Sequence, residues 1–202
     1  MEGTAVIIGR LEALDKELTL AINSLHTGFS DGVWMLFSDR QVWYLLYLAL
    51  ALLLFLRMDW KKALAVLVSV ILTVVACDQF ANLIKDLVGR LRPCWDSYMV
   101  ANGLHWLEWR GSLYGFFSAH AANSFGVATA LVMGFRTGDK SHGYKGMAWF
   151  MFIWAALVSL SRVFVGKHFL GDVLVGVAVG LLFGWIMGSL ARWIINKYSL
   201  YL

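Results

Sequence analysis

The stretch SRVFVGKHFLGD, residues 161–172, places His168 and Asp172 four residues apart between two hydrophobic runs. On a helix such a pair shares one face, about 6 Å apart along the axis. The carboxylate can then hold one imidazole nitrogen and leave the other as a nucleophile. Arg162 lies in the same stretch, and Lys85 and Arg92 lie upstream in KDLVGRLRP. Two forked guanidinium groups and a compact ammonium are suited to surrounding a phosphate. Ser118 falls near the start of another apolar run, where the free N–H groups of a helix start favour an anion. Two residues on, His120 is a second imidazole that can donate a proton to a leaving oxygen.

These residues need elements to hold them, and the composition says which kind. The chain has 202 residues, 60% of them hydrophobic, with 10 Trp and a single Pro. A water-soluble domain rarely exceeds about half apolar residues, so the first expectation is a membrane protein of long helices. Five runs can span: 41–56, 63–84, 116–135, 147–161 and 173–191. The shorter runs must borrow flanking residues, because a hydrocarbon core of about 30 Å needs about 20 helical residues. Residues 11–26 place Leu11, Leu14, Leu18, Ile22 and Leu25 at helical spacing, which predicts an amphipathic interfacial helix. Ser38 followed by Gln41 could open the first span as a capping box. Gly176, Gly180, Gly184 and Gly188 recur at every fourth position and predict close helix packing, within the chain rather than between copies. The fold class is therefore all-α: a polytopic membrane helical bundle of about five spans plus an N-terminal interfacial helix, in one domain covering residues 1–202. No cleaved signal peptide is evident at the N-terminus.

Alternating spans bring together the end of the second, the start of the third, the end of the fourth and the start of the fifth. Lys85–Arg92, Ser118–His120, Arg162 and His168–Asp172 thus converge on one membrane face. Eight basic residues (Arg57, Lys61, Lys62, Arg136, Lys140, Lys145, Arg192 and Lys197) mark the opposite side as cytoplasmic by the positive-inside rule. The site then faces away from the cytoplasm. Taken singly, Lys85, Arg90 and Arg92 would read as snorkelling anchors and His120 as an interface residue; together they read as a site.

The pattern resembles the type 2 phosphatidic acid phosphatase family, whose fold is shared with the vanadium haloperoxidases. Lys85, Arg92 and Pro93 match its Lys-x6-Arg-Pro motif, and Ser161, Arg162, His168 and Asp172 match Ser-Arg-x5-His-x3-Asp. The middle motif, Pro-Ser-Gly-His in the family, stands here as Phe117-Ser118-Ala119-His120. The motifs run from residue 85 to 172. The resemblance implies a metal-independent phosphatase with no cofactor, in which His168 attacks phosphorus to form a phosphohistidine and Asp172 orients it. His120 protonates the leaving group, while Lys85, Arg92, Arg162, Ser118 and the Ala119 amide bind the phosphate. The implied partner is a membrane lipid phosphate in the bilayer of a bacterial inner or plasma membrane: polyprenyl diphosphate, phosphatidylglycerol phosphate, phosphatidic acid or a lipid A type. A transferase acting on lipid phosphates and a non-catalytic lipid-binding protein are the alternatives. The net charge of +4 is modest and does not call for a nucleic-acid partner; the sequence sets no oligomeric state.

Other positions have plainer readings. Arg90 is either an auxiliary contact of the site or an anchor, and Asp78 pairs with a neighbouring helix. His26, His105 and His142 read as loop or interface residues without chemistry. Cys77 and Cys94 form no disulfide framework. The aromatic residues of 94–115 suit a membrane-surface belt or, beside the site, a lid.

Overall fold

A computed structural model of the protein describes residues 2–198, and no strand occurs among them. Eight helices follow in order: α1 (Glu2–Asn23), α2 (Gly28–Ser38), α3 (Tyr44–Arg57), α4 (Trp60–Val88), α5 (Ser97–Ala101), α6 (Ala119–Gly138), α7 (Lys145–Phe164) and α8 (Leu170–Tyr198). Three of them, α4, α7 and α8, are long and apolar enough to cross a membrane. A fourth span arises if α2 and the Gln41–Arg57 segment count as one, bent by 64° at the break.

The third expected span, α6, reaches 20 residues but carries polar groups along its length. It tolerates them because α4, α7 and α8 pack around it and bury eleven of its residues, so protein rather than lipid is its solvent. Ser124, for instance, bonds to the Ala121 carbonyl and lies 3.4 Å from that of Ala155 on α7. The glycine face of α8 packs against α6, within the chain as expected. A Cβ on Gly176, Gly180 or Gly184 would come within 2.5, 2.3 and 2.6 Å of the Ser118, Ala122 and Gly126 carbonyl oxygens. Only glycines allow these two backbones to lie so close.

Ser38 does not open a helix. It ends α2, and the next segment starts as a 3-10 turn over Gln41–Trp43 with no side-chain cap; Asp39 takes the Gln41 N–H instead. The capping box that does form joins Thr27 and Ser30 at the start of α2. Helix α1 is longer than its leucine stripe. Leu11, Leu14 and Leu18 are exposed on the protein surface, as a helix lying in a membrane interface requires. Its other face is polar and docks on the protein: Thr19 and Asn23 are fully or almost fully buried.

Candidate active site

Three polar residues of α1 hold the loop between α7 and α8. Asn23 donates through its amide to the carbonyls of Val163 and Phe164, both at 3.0 Å, and to that of His105 at 2.9 Å. Thr19 Oγ1 accepts from the Leu170 N–H at 3.0 Å, and Asp15 Oδ1 from the Gly171 N–H at 2.7 Å. At Gly166 the backbone turns at φ +72°, and a Cβ there would lie 2.7 Å from Trp106 Cβ, so the turn requires glycine. The Lys167 and His168 N–H groups then fold back on the Arg162 carbonyl.

This loop leaves His168 only 2% exposed and Asp172 completely buried. Their side chains meet with His168 Nδ1 3.5 Å from Asp172 Oδ2, an ion-pair distance at which no hydrogen bond has closed. Asp172 is fixed from three sides. Its Oδ2 accepts the Phe169 N–H at 3.1 Å, its Oδ1 accepts from Arg90 Nη1 at 2.7 Å, and its carbonyl accepts the Ser118 N–H at 3.0 Å. Arg90 also pairs with Asp15 at 2.6 Å and lies over the Phe169 ring, which makes it an auxiliary contact of the pair rather than an anchor. Burial pushes the His168 imidazole well below its ordinary range, and the charges of Arg92, Arg162, Lys85 and Lys167 push the same way. The neutral imidazole is therefore the form present at neutral pH.

Lys85, Arg92, Ala119, His120, Arg162 and His168 line one cavity of about 780 Å³. Ser118 stands behind them rather than among them. It is the N-cap of α6, its hydroxyl facing the Ala121 N–H at 3.4 Å. Ala119 and His120, the first residues of α6, both line the cavity, and the free N–H groups of a helix start favour an anion. Arg92 is braced by its Nε on the Tyr114 carbonyl and its Nη2 on Ser112. Arg162 is 3% exposed and donates to Glu108 Oε1 at 3.0 Å and Oε2 at 3.3 Å, with Ser38 in contact as well. Lys167 is committed to the same loop, donating to the carbonyls of Trp109 and Arg110.

Away from these charged residues, the cavity runs between α3 and α4 along Leu50, Leu54, Leu67, Val70 and Val74. Asp78, Gln79, Asn82 and Asn123 add a polar strip to this wall. Asp78 pairs with Asn123 of α6 at 2.8 Å, the helix-to-helix contact expected for it. Sequence reasoning missed Asp15, Thr19, Asn23, Ser38 and Glu108. The first three recur at every fourth residue, a polar stripe about a quarter-turn round the helix from the leucines that could have been read. Glu108 is the only acid between Asp96 and Asp139, a weaker signal.

Comparison with known proteins agrees with this geometry. The chain is 33% identical over 184 residues to a lipid A 4'-phosphatase of Bacteroides thetaiotaomicron, covering 90% of this chain and 79% of that protein. A lipid A 4'-phosphatase of Porphyromonas gingivalis is 30% identical over 172 residues, covering 85% and 70%. The fold is shared with a transmembrane PAP2-type phosphatidylglycerolphosphate phosphatase from Bacillus subtilis, at TM-score 0.71, 19% identity and coverage of 92% and 88%. It is shared too with Aquifex aeolicus LpxE, at TM-score 0.61, 24% identity and coverage of 85% and 92%. Residues 62–195, which hold every motif residue, match the PAP2 superfamily, and the chain belongs to it.

Proposed function

We propose that this integral membrane phosphatase removes a phosphate monoester from an acylated sugar lipid of the lipid A class, through a phosphohistidine on His168. The observation that carries the reading is the shared cavity: Lys85, Arg92, Arg162, His120 and His168 at one end, and a channel between two apolar helices at the other. A volume of about 780 Å³ holds a phosphorylated headgroup with the first part of its chains. The polar strip of Asp78, Gln79, Asn82 and Asn123 offers hydrogen bonds to a sugar, which a prenyl chain would not use. The activity of the two curated relatives supports the same substrate class.

In this reading Asp172 faces Nδ1 of His168, so Nε2 attacks phosphorus. The bond from phosphorus to the sugar oxygen breaks, and His120 gives that oxygen a proton. Water then attacks the phosphohistidine, His120 takes its proton, and inorganic phosphate leaves with His168 restored. Lys85, Arg92, Arg162 and the amides at the start of α6 neutralise the equatorial oxygens as charge develops. The eight basic residues predicted at the opposite ends of the spans support a site on the extracytoplasmic side of a bacterial membrane.

The test is phosphate release by the detergent-purified chain from lipid A, phosphatidic acid and a polyprenyl diphosphate, compared with His168→Ala. Lipid A is expected to be the preferred substrate, with the variant slower by on the order of 10⁴-fold or more. Turnover that survives His168→Ala would remove the nucleophile assignment. Preference for a glycerol or prenyl lipid would remove the substrate assignment.

A further inference from the structure

Behind the His168–Asp172 pair lies a residue that no motif includes. Asp15 stands in α1, outside residues 62–195 that match the PAP2 superfamily. Its Oδ2 accepts from Arg90 Nη2 at 2.6 Å, and the other terminal nitrogen of that guanidinium, Nη1, donates to Asp172 Oδ1 at 2.7 Å. One forked cation therefore joins two carboxylates, and the second of them is the one that meets His168. The guanidinium also lies 4.1 Å over the Phe169 ring, a further contact that holds it in place. A Cβ on residue 171 would come within 2.8 Å of Asp15 Oδ2, so a glycine there makes room for the carboxylate.

This chain of charges does two things to Asp172. With Oδ1 held by Arg90, the carboxylate keeps one orientation, and Oδ2 stays toward the Phe169 N–H and His168 Nδ1. Asp15 also neutralises part of the Arg90 charge, so less of it is set against Asp172. Asp172 is completely buried, and the Arg90 and Asp15 side chains are only 22% and 16% exposed, so water screens these charges weakly. We infer that Asp15 is a positioning residue of the phosphatase: acting through Arg90, it fixes the orientation and effective charge of Asp172, and so the attack geometry of His168. The inference rests on the reading of His168 as the nucleophile.

Charge reaches the His168 imidazole from every element around it: Lys85 of α4, Arg92 of the loop that follows, His120 of α6, Arg162 of α7, Lys167 beside it and Asp172 of α8. Asp172 is the one acid among these groups, so its effective charge acts against all the cations. Removing the Asp15 charge leaves Arg90 to act on Asp172 alone. The carboxylate then holds a proton on His168 less well, and the acid limb of kcat/KM moves down in pH. Removing the Arg90 charge has the opposite effect and moves the limb up.

The experiment is the pH profile of kcat/KM for p-nitrophenyl phosphate, measured on the full chain in detergent. Its leaving group departs without a proton, so the acid limb reports His168 rather than His120. Asp15→Asn keeps an oxygen to accept the Gly171 N–H and removes the charge and the Arg90 bond. It is expected to lower kcat/KM on the order of 10-fold or more. Its acid limb should move down by roughly 0.5 pH unit or more, and that of Arg90→Gln should move up. Glu12→Gln removes the same charge from the exposed face of the same helix and should match the wild type. An acid limb unmoved in Asp15→Asn, or moved the same way in both variants, would overturn the inference. Turnover that survives His168→Ala would instead remove the nucleophile itself, so the two failures are told apart.

Discussion

In the proposed mechanism His168 works only in its unprotonated form, and its surroundings favour that form. The imidazole sits in a buried loop facing four cations, which lowers its pKa below the ordinary value of about 6.5. A base with a lowered pKa stays neutral as the pH falls through its ordinary value and is protonated only further down. We therefore expect the acid limb of kcat/KM, corrected for the second ionisation of the substrate phosphate near about 6, to lie below about pH 6.5. An acid limb centred at or above about 6.5 would mean that the cations are neutralised in the free enzyme. At this scale the sequence was informative where spacing alone fixes a relation. His168 and Asp172 come to 3.5 Å as their spacing suggested, but through the loop before α8 rather than as one helical turn, since α8 begins at Leu170. It was uninformative for Glu108, whose pairing with Arg162 joins residues 54 apart and follows from no local pattern.

Among the elements, the pair of α6 and α8 sets how closely the motif-bearing ends can converge. Ala121 and Ala122 of α6 sit against Gly176 and Gly180 of α8, directly beneath the N-cap that backs the phosphate end. Gly180→Ala would place a methyl 2.3 Å from the Ala122 carbonyl, so the helices must separate. The expected cost is about 1–3 kcal/mol, seen as a lowered unfolding temperature, with activity lost as the cavity widens. Gly146→Ala, where the methyl would meet nothing within 4 Å, should leave both unchanged. The small-residue period made this contact legible beforehand. Hydropathy was a poorer guide to α6, because a helix enclosed by other helices need not look like one enclosed by lipid.

For the molecule as a whole, the cavity couples a charged end to an apolar channel, and the two can be separated by mutation. Val74 lines the channel and contributes nothing to the phosphate end. Val74→Trp is expected to raise KM for a lipid phosphate roughly 10-fold or more, while hydrolysis of a small water-soluble ester such as p-nitrophenyl phosphate continues at the wild-type rate. Equal losses on both substrates would mean that the lipid does not enter between α3 and α4.

The docking of α1 also orders events during synthesis. Asn23 waits for carbonyls 140 and 141 residues further along the chain, Thr19 for an amide 151 residues away and Asp15 for one 156 residues away. Helix α1 is thus held in part by residues far along the chain, and contacts this distant in sequence form late. The loop that carries His168 is therefore held in place only after α7 and the start of α8 have been made.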